Sequence, residues 1–377
     1  MQDTSSATEP GAPAPTARPR RNWRFYVKWG LLVLFAILAL VPVLGFAYET
    51  LMAAQDSQRF PPPGRQVTVD GRRMHVNCAG EGSPTVVMDA GLGGWSLDWS
   101  LVQPEVARFT RVCSYDRAGM GWSDPGSAPR DAQHAADELH TLLAAAVPGP
   151  IVLVGHSNGG LRVLLYASKF PGEVAGLVLV DPTPIATDEE GVAALSPSEQ
   201  EELQSLVQSS GSSTEDDGLG TFRLLERLRP FGVTRLFADM LLPLSPYRHL
   251  SPAVQPAYRA TFNNATLLST FIAESEQRQN SINQARGVTG LGDVPLMVLS
   301  SSRFGTFYSD PPPPGMPERA VELSSKMLGE LHSRIAKLSS NGTTQRVEQS
   351  GHYIQIDRPD AVTHAIREVV DASRRPS

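Results

Sequence analysis

Val152-Leu153-Val154-Gly155-His156-Ser157-Asn158-Gly159-Gly160-Leu161 is the stretch from which the rest of the chain is read. The apolar residues at its start form a short buried strand, and the apolar pattern after Gly159 is helical. Between them lies Gly-x-Ser-x-Gly, a turn that must be sharp and strained to push the Ser157 hydroxyl out above a sheet. Side chains at Gly155 and Gly159 would collide with neighbouring backbone in such a turn, so both positions are glycine. The following helix aims its N-terminus at Ser157, where partial positive charge favours a developing oxyanion. A bare Gly-x-Ser-x-Gly is a weak signal; the strand before it and the helix after it make this one specific. The competing reading is an ordinary loop serine.

Working outward, strand signals alternate with helical ones. Gln66–Val69 and Arg73–Asn77 flank an Asp70-Gly71 turn and predict an antiparallel hairpin. Short apolar strands follow at Thr85–Met88, Arg111–Tyr115, Ile151–Val154, Leu177–Val180, Leu296–Leu299 and Gln345–Glu348, with helices over Asp131–Ala146, Gly160–Phe170 and Ala361–Ala372. That rhythm predicts a mainly parallel sheet covered on both faces. It breaks between Asp181 and Leu296, where Ser198–Gln208, Thr221–Leu228 and Val254–Asn280 read as amphipathic helices. A helical insertion of that length between two core strands reads as a lid over a site, since long insertions in compact domains are usually functional. A packing or oligomerisation domain is the alternative.

These segments resemble the α/β-hydrolase superfamily over about residues 65–375. Besides the serine turn, Asp89-Ala90-Gly91-Leu92-Gly93-Gly94 stands where relatives carry His-Gly. Tyr115-Asp116-Arg117-Ala118-Gly119-Met120-Gly121-Trp122-Ser123 resembles the family's Asp-x-Arg-Gly-x-Gly-x-Ser turn, and Ser350-Gly351-His352-Tyr353 its C-terminal Gly-His segment. The resemblance implies an eight-stranded, mainly parallel sheet in a core made of residues 65–182 and 291–377, with a lid at 183–290. It also implies a triad in the chain order serine, acid, histidine. Ser157 would be the nucleophile and His352 the general base. A serine hydroxyl is barely ionised at neutral pH, so an imidazole must take its proton and return it to the leaving group. A surface histidine is the alternative reading of His352. The backbone N–H groups of Leu92 and Asn158 would form the oxyanion hole.

The acid is less fixed. Many relatives carry it after the strand corresponding to Leu296–Leu299, but the residues there are Ser300-Ser301-Ser302-Arg303, with no carboxylate before Asp310. Asp181 directly follows Leu177–Val180, where some members of the superfamily place their acid. Asp181 is therefore the first candidate and Asp310 the second, with a lid carboxylate such as Glu274 also open; a loop cap before Pro182 is the bland reading of Asp181. Asp89 reads as structural rather than catalytic, and the remaining histidines lack a motif.

The first sixty residues differ in character. Residues 1–24 are rich in Pro, Ala, Ser and Thr and are expected to be disordered. Arg18, Arg20, Arg21, Arg24 and Lys28 then precede the uncharged stretch Trp29–Tyr48, whose 20 residues would make a helix about 30 Å long, matching a bilayer's hydrocarbon core. A transmembrane helix is expected over 25–48, with Trp23, Tyr26, Trp29 and Tyr48 at the interfaces. The basic cluster would hold the N-terminus in the cytoplasm and send the catalytic domain outward. A cleaved signal peptide, with Met52-Ala53-Ala54 as a weak cleavage site, and a buried soluble helix are the rivals. A stiff linker, 49–64, ends in Phe60-Pro61-Pro62-Pro63-Gly64.

The chain has 377 residues, a net charge of −6 and two cysteines. No basic run lies in the folded part, so nucleic acid is not an expected partner. In the family's usual strand order, Cys78 and Cys113 fall on neighbouring strands. An outward-facing domain lies in an oxidising compartment, so a disulfide is expected, against two buried thiols. The expected function is hydrolysis of a small-molecule carboxylic ester through an acyl-enzyme, with no metal or organic cofactor. Lipase, thioesterase, peptidase or acyltransferase chemistry uses the same residues, and a catalytically silent binding protein could keep the scaffold. Aspartate at the turn, used by dehalogenase and epoxide-hydrolase relatives, is absent here.

Overall fold

The computed structural model describes residues 23–186, 188–209, 219–242, 245–303 and 317–375. Eight strands form one sheet in the order β1-β2-β4-β3-β5-β6-β7-β8. They are β1 Arg65–Val69, β2 Arg72–Ala79, β3 Thr85–Asp89, β4 Val112–Tyr115, β5 Ile151–His156, β6 Val174–Val180, β7 Leu296–Ser301 and β8 Gly342–Val347. β1 and β2 pair antiparallel, as do β2 and β4; every other pairing is parallel. The central strands are buried along their whole length, because helices cover both faces and leave no solvated side to alternate toward. Apolar side chains of the helices Ala132–Ala146 and Asn158–Lys169 complete the core on one face, and those of Pro359–Ser373 on the other.

Three local expectations need correction. β8 begins at Gly342, three residues before the anticipated start at Gln345, and ends at Val347. It is the edge strand and largely exposed, so its Gly-Thr-Thr-Gln-Arg run carries no apolar signal. Val254–Asn280 is not one helix but parts of three, Gln255–Phe262, Leu267–Glu276 and Arg278–Arg286. The side chain of Asn264 accepts from Thr266 N–H and donates to the Gly121 carbonyl, which holds the first break open. The stiff linker over 49–64 is also overturned up to Arg59, because one helix, α1, runs unbroken over Trp23–Arg59. Glu49 and Asp56, whose charges ended the apolar span, pair with Arg235 at 3.0 and 2.6 Å and continue the helix along the domain. The expected disordered tail lies mostly outside the described residues.

Cys78 and Cys113 sit directly opposite each other on β2 and β4 and are disulfide-bonded. The bond closes a loop with a sequence separation of 35. Restricting a loop of that size in the unfolded chain is worth about 4 kcal/mol in the loop-entropy picture. The denatured, unreduced protein is therefore expected to show no titratable thiol. The Cys78→Ser/Cys113→Ser variant should lose about 3–4 kcal/mol of unfolding free energy in a denaturant titration.

Candidate active site

Ser157 has φ 53° and ψ −122°, a backbone conformation that costs a non-glycine residue free energy and persists only where its surroundings enforce it. The enforcement is visible. The Ser157 N–H donates to the Val180 carbonyl, and its own carbonyl accepts from Gly160 and Thr183 N–H groups. A Cβ on Gly155 would lie 2.7 Å from the Gly159 backbone, and one on Gly159 would lie 2.5 Å from the Asp89 carbonyl. The two glycines are required by contact, as the sequence implied.

Asp181 follows β6 with φ 42°, again a strained non-glycine bend, and is almost fully buried. Its Oδ2 accepts from the Nδ1–H of His352 at 2.7 Å, and its Oδ1 from the Ser301 N–H at 2.7 Å. Burial alone would raise the Asp181 pKa. The His352 hydrogen bond, the fields of His352 and His332, and the Ser301 N–H outweigh burial and hold the carboxyl below its usual range. Asp181 is thus charged at neutral pH and fixes the proton of His352 on Nδ1, leaving Nε2 as the acceptor. His352 rides on the loop after β8. His156 steadies that loop, its Nε2–H donating to the His352 carbonyl at 3.0 Å. Burial and then the neighbouring His352 push His156 down to about 3, so it stays neutral.

Ser157, His352, Asp181, Leu92 and Asn158 all line one cavity of about 550 Å³. The structure therefore brings together the residues selected from sequence. Asp310 lies outside the described residues. Glu274, the carboxylate of the insertion held open as a third acid, is instead engaged elsewhere: it is buried and accepts from Arg117 Nε at 2.9 Å. No hydrogen bond joins Ser157 Oγ to His352 among the described residues, a contact that in ligand-free sites is often long and tightens when substrate binds.

The buried cluster around Arg117 was not anticipated. Arg117 donates to the carbonyls of Ala90 and Gly91 at 3.0 and 2.9 Å, and Arg162 clamps Asp89 through two hydrogen bonds at 2.8 and 3.0 Å. Those bonds fix the two carbonyls just before Leu92, which lines the cavity. Among the described residues no backbone carbonyl accepts from it. Asn158 N–H is the first of its helix and has no intrahelical acceptor. The Asn158 side chain is held aside by the Thr183 hydroxyl, which donates to it at 2.6 Å. Leu92 and Asn158 line the same cavity as Ser157, and the ion-pair cluster lies behind the loop that carries Leu92.

Asp98 also lines the cavity and is buried. The Tyr258 hydroxyl stabilises its charged form, although neither carboxylate oxygen meets a donor in full hydrogen-bonding geometry. Burial dominates, ahead of the field of Arg117, and raises its pKa to about 7. A carboxyl raised in the folded state stabilises the fold below its unfolded pKa, and that contribution is lost as pH rises through the folded value. Wild type should therefore lose stability from this group between about pH 4 and 8, by up to about 4 kcal/mol. The Asp98→Asn variant should show a flatter thermal-midpoint profile over that range and gain most on wild type at the alkaline end.

The sequence profile of the alpha/beta hydrolase fold family matches residues 84–359, and the chain belongs to that family. The uncharacterised protein YqjL of Bacillus subtilis (strain 168) is 36% identical over 117 residues, 30% of this chain and 46% of that protein. The chain spans less than half the length of the first curated relatives it matches. Two solved structures share the fold. The epoxide hydrolase CorEH superposes with a TM-score of 0.56 at 17% identity, covering 82% of this chain and 99% of that one. A membrane phospholipase A described as a bacterial virulence factor gives 0.54 at 20%, covering 94% and 100%.

Proposed function

We propose that this protein is a membrane-anchored serine hydrolase that cleaves a carboxylic ester through an acyl-enzyme on Ser157. One observation carries the reading: a serine held in a strained bend faces the same cavity as a histidine whose Nδ1–H is pinned to a buried, charged Asp181. In this mechanism Ser157 Oγ attacks the ester carbonyl while His352 Nε2 takes its proton. The N–H groups of Leu92 and Asn158 receive the oxyanion. As the tetrahedral intermediate collapses, His352 returns the proton to the departing alcohol. Water then adds to the acyl-enzyme by the same steps and releases the acid and free Ser157. Asp181 keeps the imidazole in the required tautomer throughout.

The cavity walls favour an apolar acyl group, with Phe222, Phe262, Leu267, Leu268 and Phe271 among the lining residues. The helices between β6 and β7 supply all five, which supports a lid role for the insertion. A serine at the bend argues against the chemistry named for CorEH, whereas the name membrane phospholipase A fits ester cleavage at a bilayer. The apolar side chains of α1 between Trp29 and Phe46 are exposed, which supports a membrane span. Arg24 and Lys28 at its start favour a cytoplasmic N-terminus, and the disulfide suits an extracytoplasmic domain. The test is turnover of p-nitrophenyl esters of graded chain length by the full chain in detergent. Hydrolysis rising with acyl length from acetate is expected; no hydrolysis of any member would refute the reading.

A further inference from the structure

Among the described residues outside α1, the exposed large apolar side chains other than Val192 fall in one short stretch of the insertion: Leu224, Phe231, Leu236, Phe237 and Met240, the last 72% exposed. That stretch is fastened to α1. The Phe231 carbonyl packs so closely on Gly45 that a Cβ there would meet it at 2.5 Å, and the Tyr48 ring lies 3.0 Å from where a Cβ on Gly232 would stand. Arg235 then grips Glu49 and Asp56 one turn and three turns further along α1. Gly45 and Tyr48 belong to the last turn of the uncharged 20-residue stretch that matches a bilayer core. A segment touching the helix at that level is at the level of the bilayer, on the side of the catalytic domain. The nearby charges Asp239 and Arg259 neutralise each other at 2.6 Å. The same short helix, Ala238–Leu241, shows Met240 to the outside and lines the cavity with Leu241.

We propose that Phe231, Leu236, Phe237 and Met240 sit in the bilayer leaflet beside α1, and that the wall they share with Leu241 admits a long-chain lipid ester from that leaflet to Ser157. This rests on the proposed hydrolase and its membrane span. The occupant of the patch is lipid, because Phe231 and Gly232 pack on Gly45 and Tyr48 of α1, whose apolar side chains are exposed like those of the patch. An apolar patch of this kind is costly in water and is usually a site of contact. The reaction's alcohol product would leave toward water and the fatty acid would return to the leaflet.

The test uses the full chain in dioleoylphosphatidylcholine vesicles. Two measurements read the underlying proposals by themselves: hydrolysis of p-nitrophenyl butyrate in detergent, and retention of the chain in vesicles after an alkaline carbonate wash. With both positive, the Phe237→Asp/Met240→Asp variant should keep its p-nitrophenyl butyrate rate within two-fold. Its hydrolysis of p-nitrophenyl palmitate dissolved in the vesicles should fall at least ten-fold. Equal losses on both substrates would mean a folding defect, and a second variant then decides. The native cysteines are disulfide-bonded, so a nitrobenzoxadiazole label on Met240→Cys reports that position alone. Quenching by lipid carrying a doxyl group near the headgroup is expected. Quenching by aqueous iodide only, or shielding from both quenchers that grows with protein density in the vesicle, would overturn the proposal; the latter would put a second copy of the chain on the patch.

Discussion

Replacing Ser157 by alanine is expected to lower kcat for a soluble ester by about 10⁶-fold and to leave the fold intact. The loss is large because, in the proposed mechanism, the nucleophile, its base and the base's orienting acid act as a unit, so removing the attacking oxygen also idles His352 and Asp181. The residue left behind still has to adopt φ 53°, a conformation imposed by the hydrogen bonds of residues 157, 160, 180 and 183 rather than by the side chain. The melting temperature should therefore stay within about 3 °C of wild type, the shift expected from less than 1 kcal/mol in a domain this size. Residual turnover above the uncatalysed rate is expected from the Leu92 and Asn158 donors, which remain. Steady-state kinetics with p-nitrophenyl butyrate and a thermal melt check both parts.

Asp181→Asn is the second large effect, a drop of about 10⁴-fold in kcat with KM little changed. The amide is nearly isosteric, so packing around the buried side chain survives. What changes is the donor pattern. An amide NH₂ placed against His352 Nδ1 would favour the tautomer carrying its proton on Nε2, which cannot accept from Ser157. The same substitution takes away the acceptor of the Ser301 N–H unless the amide oxygen turns toward it, and that turn presents the NH₂ to His352. Because Asp181 is held below the usual carboxylate range, its own titration should not appear in the activity profile between about pH 5 and 9. If Asp310 were the acid, Asp181→Asn would cost little, and Asp310→Asn would carry the loss.

Much of the candidate site was legible because its residues announce themselves locally. The strand, turn and helix around Ser157 form a continuous pattern, and the Ser-Gly turn before His352 and the strand end before Asp181 are equally local. Asp181 could be ranked above Asp310 because a side chain at the carboxyl end of β6 lies beside the neighbouring strand's loop, where His352 arrives. The buried cluster of Asp89, Arg117, Arg162 and Glu274 was not legible. Arg117 and Glu274 are 157 residues apart, and no periodicity in a sequence records a pairing across that distance. One signal was available: two arginines within otherwise apolar surroundings, at the family turn and in the helix after Ser157, need buried acceptors.

The same distinction holds for the fold. Strands β3, β5 and β6 are buried on both faces and show as apolar runs, whereas edge strand β8 has polar residues and no such signature. The helix Glu318–Ala336, with nine buried residues on one side, was overlooked because its apolar positions are spaced among charges without a preceding capping residue. α1 was read too short because Glu49 and Asp56 look like the end of an apolar helix, while their partner Arg235 lies almost two hundred residues downstream. Charge ended the uncharged apolar stretch but not the helix.

The central claim is that Ser157 Oγ becomes a nucleophile when His352, oriented by Asp181, accepts its proton. Reaction of the full chain with an alkyl fluorophosphonate, followed by proteolysis and peptide mass spectrometry, tests this most directly. A single adduct on the peptide containing Ser157, lost in Ser157→Ala and formed at least a hundred-fold more slowly in His352→Ala, is the expected result. Absence of an adduct on folded wild-type protein, or an adduct on any other residue, would contradict it.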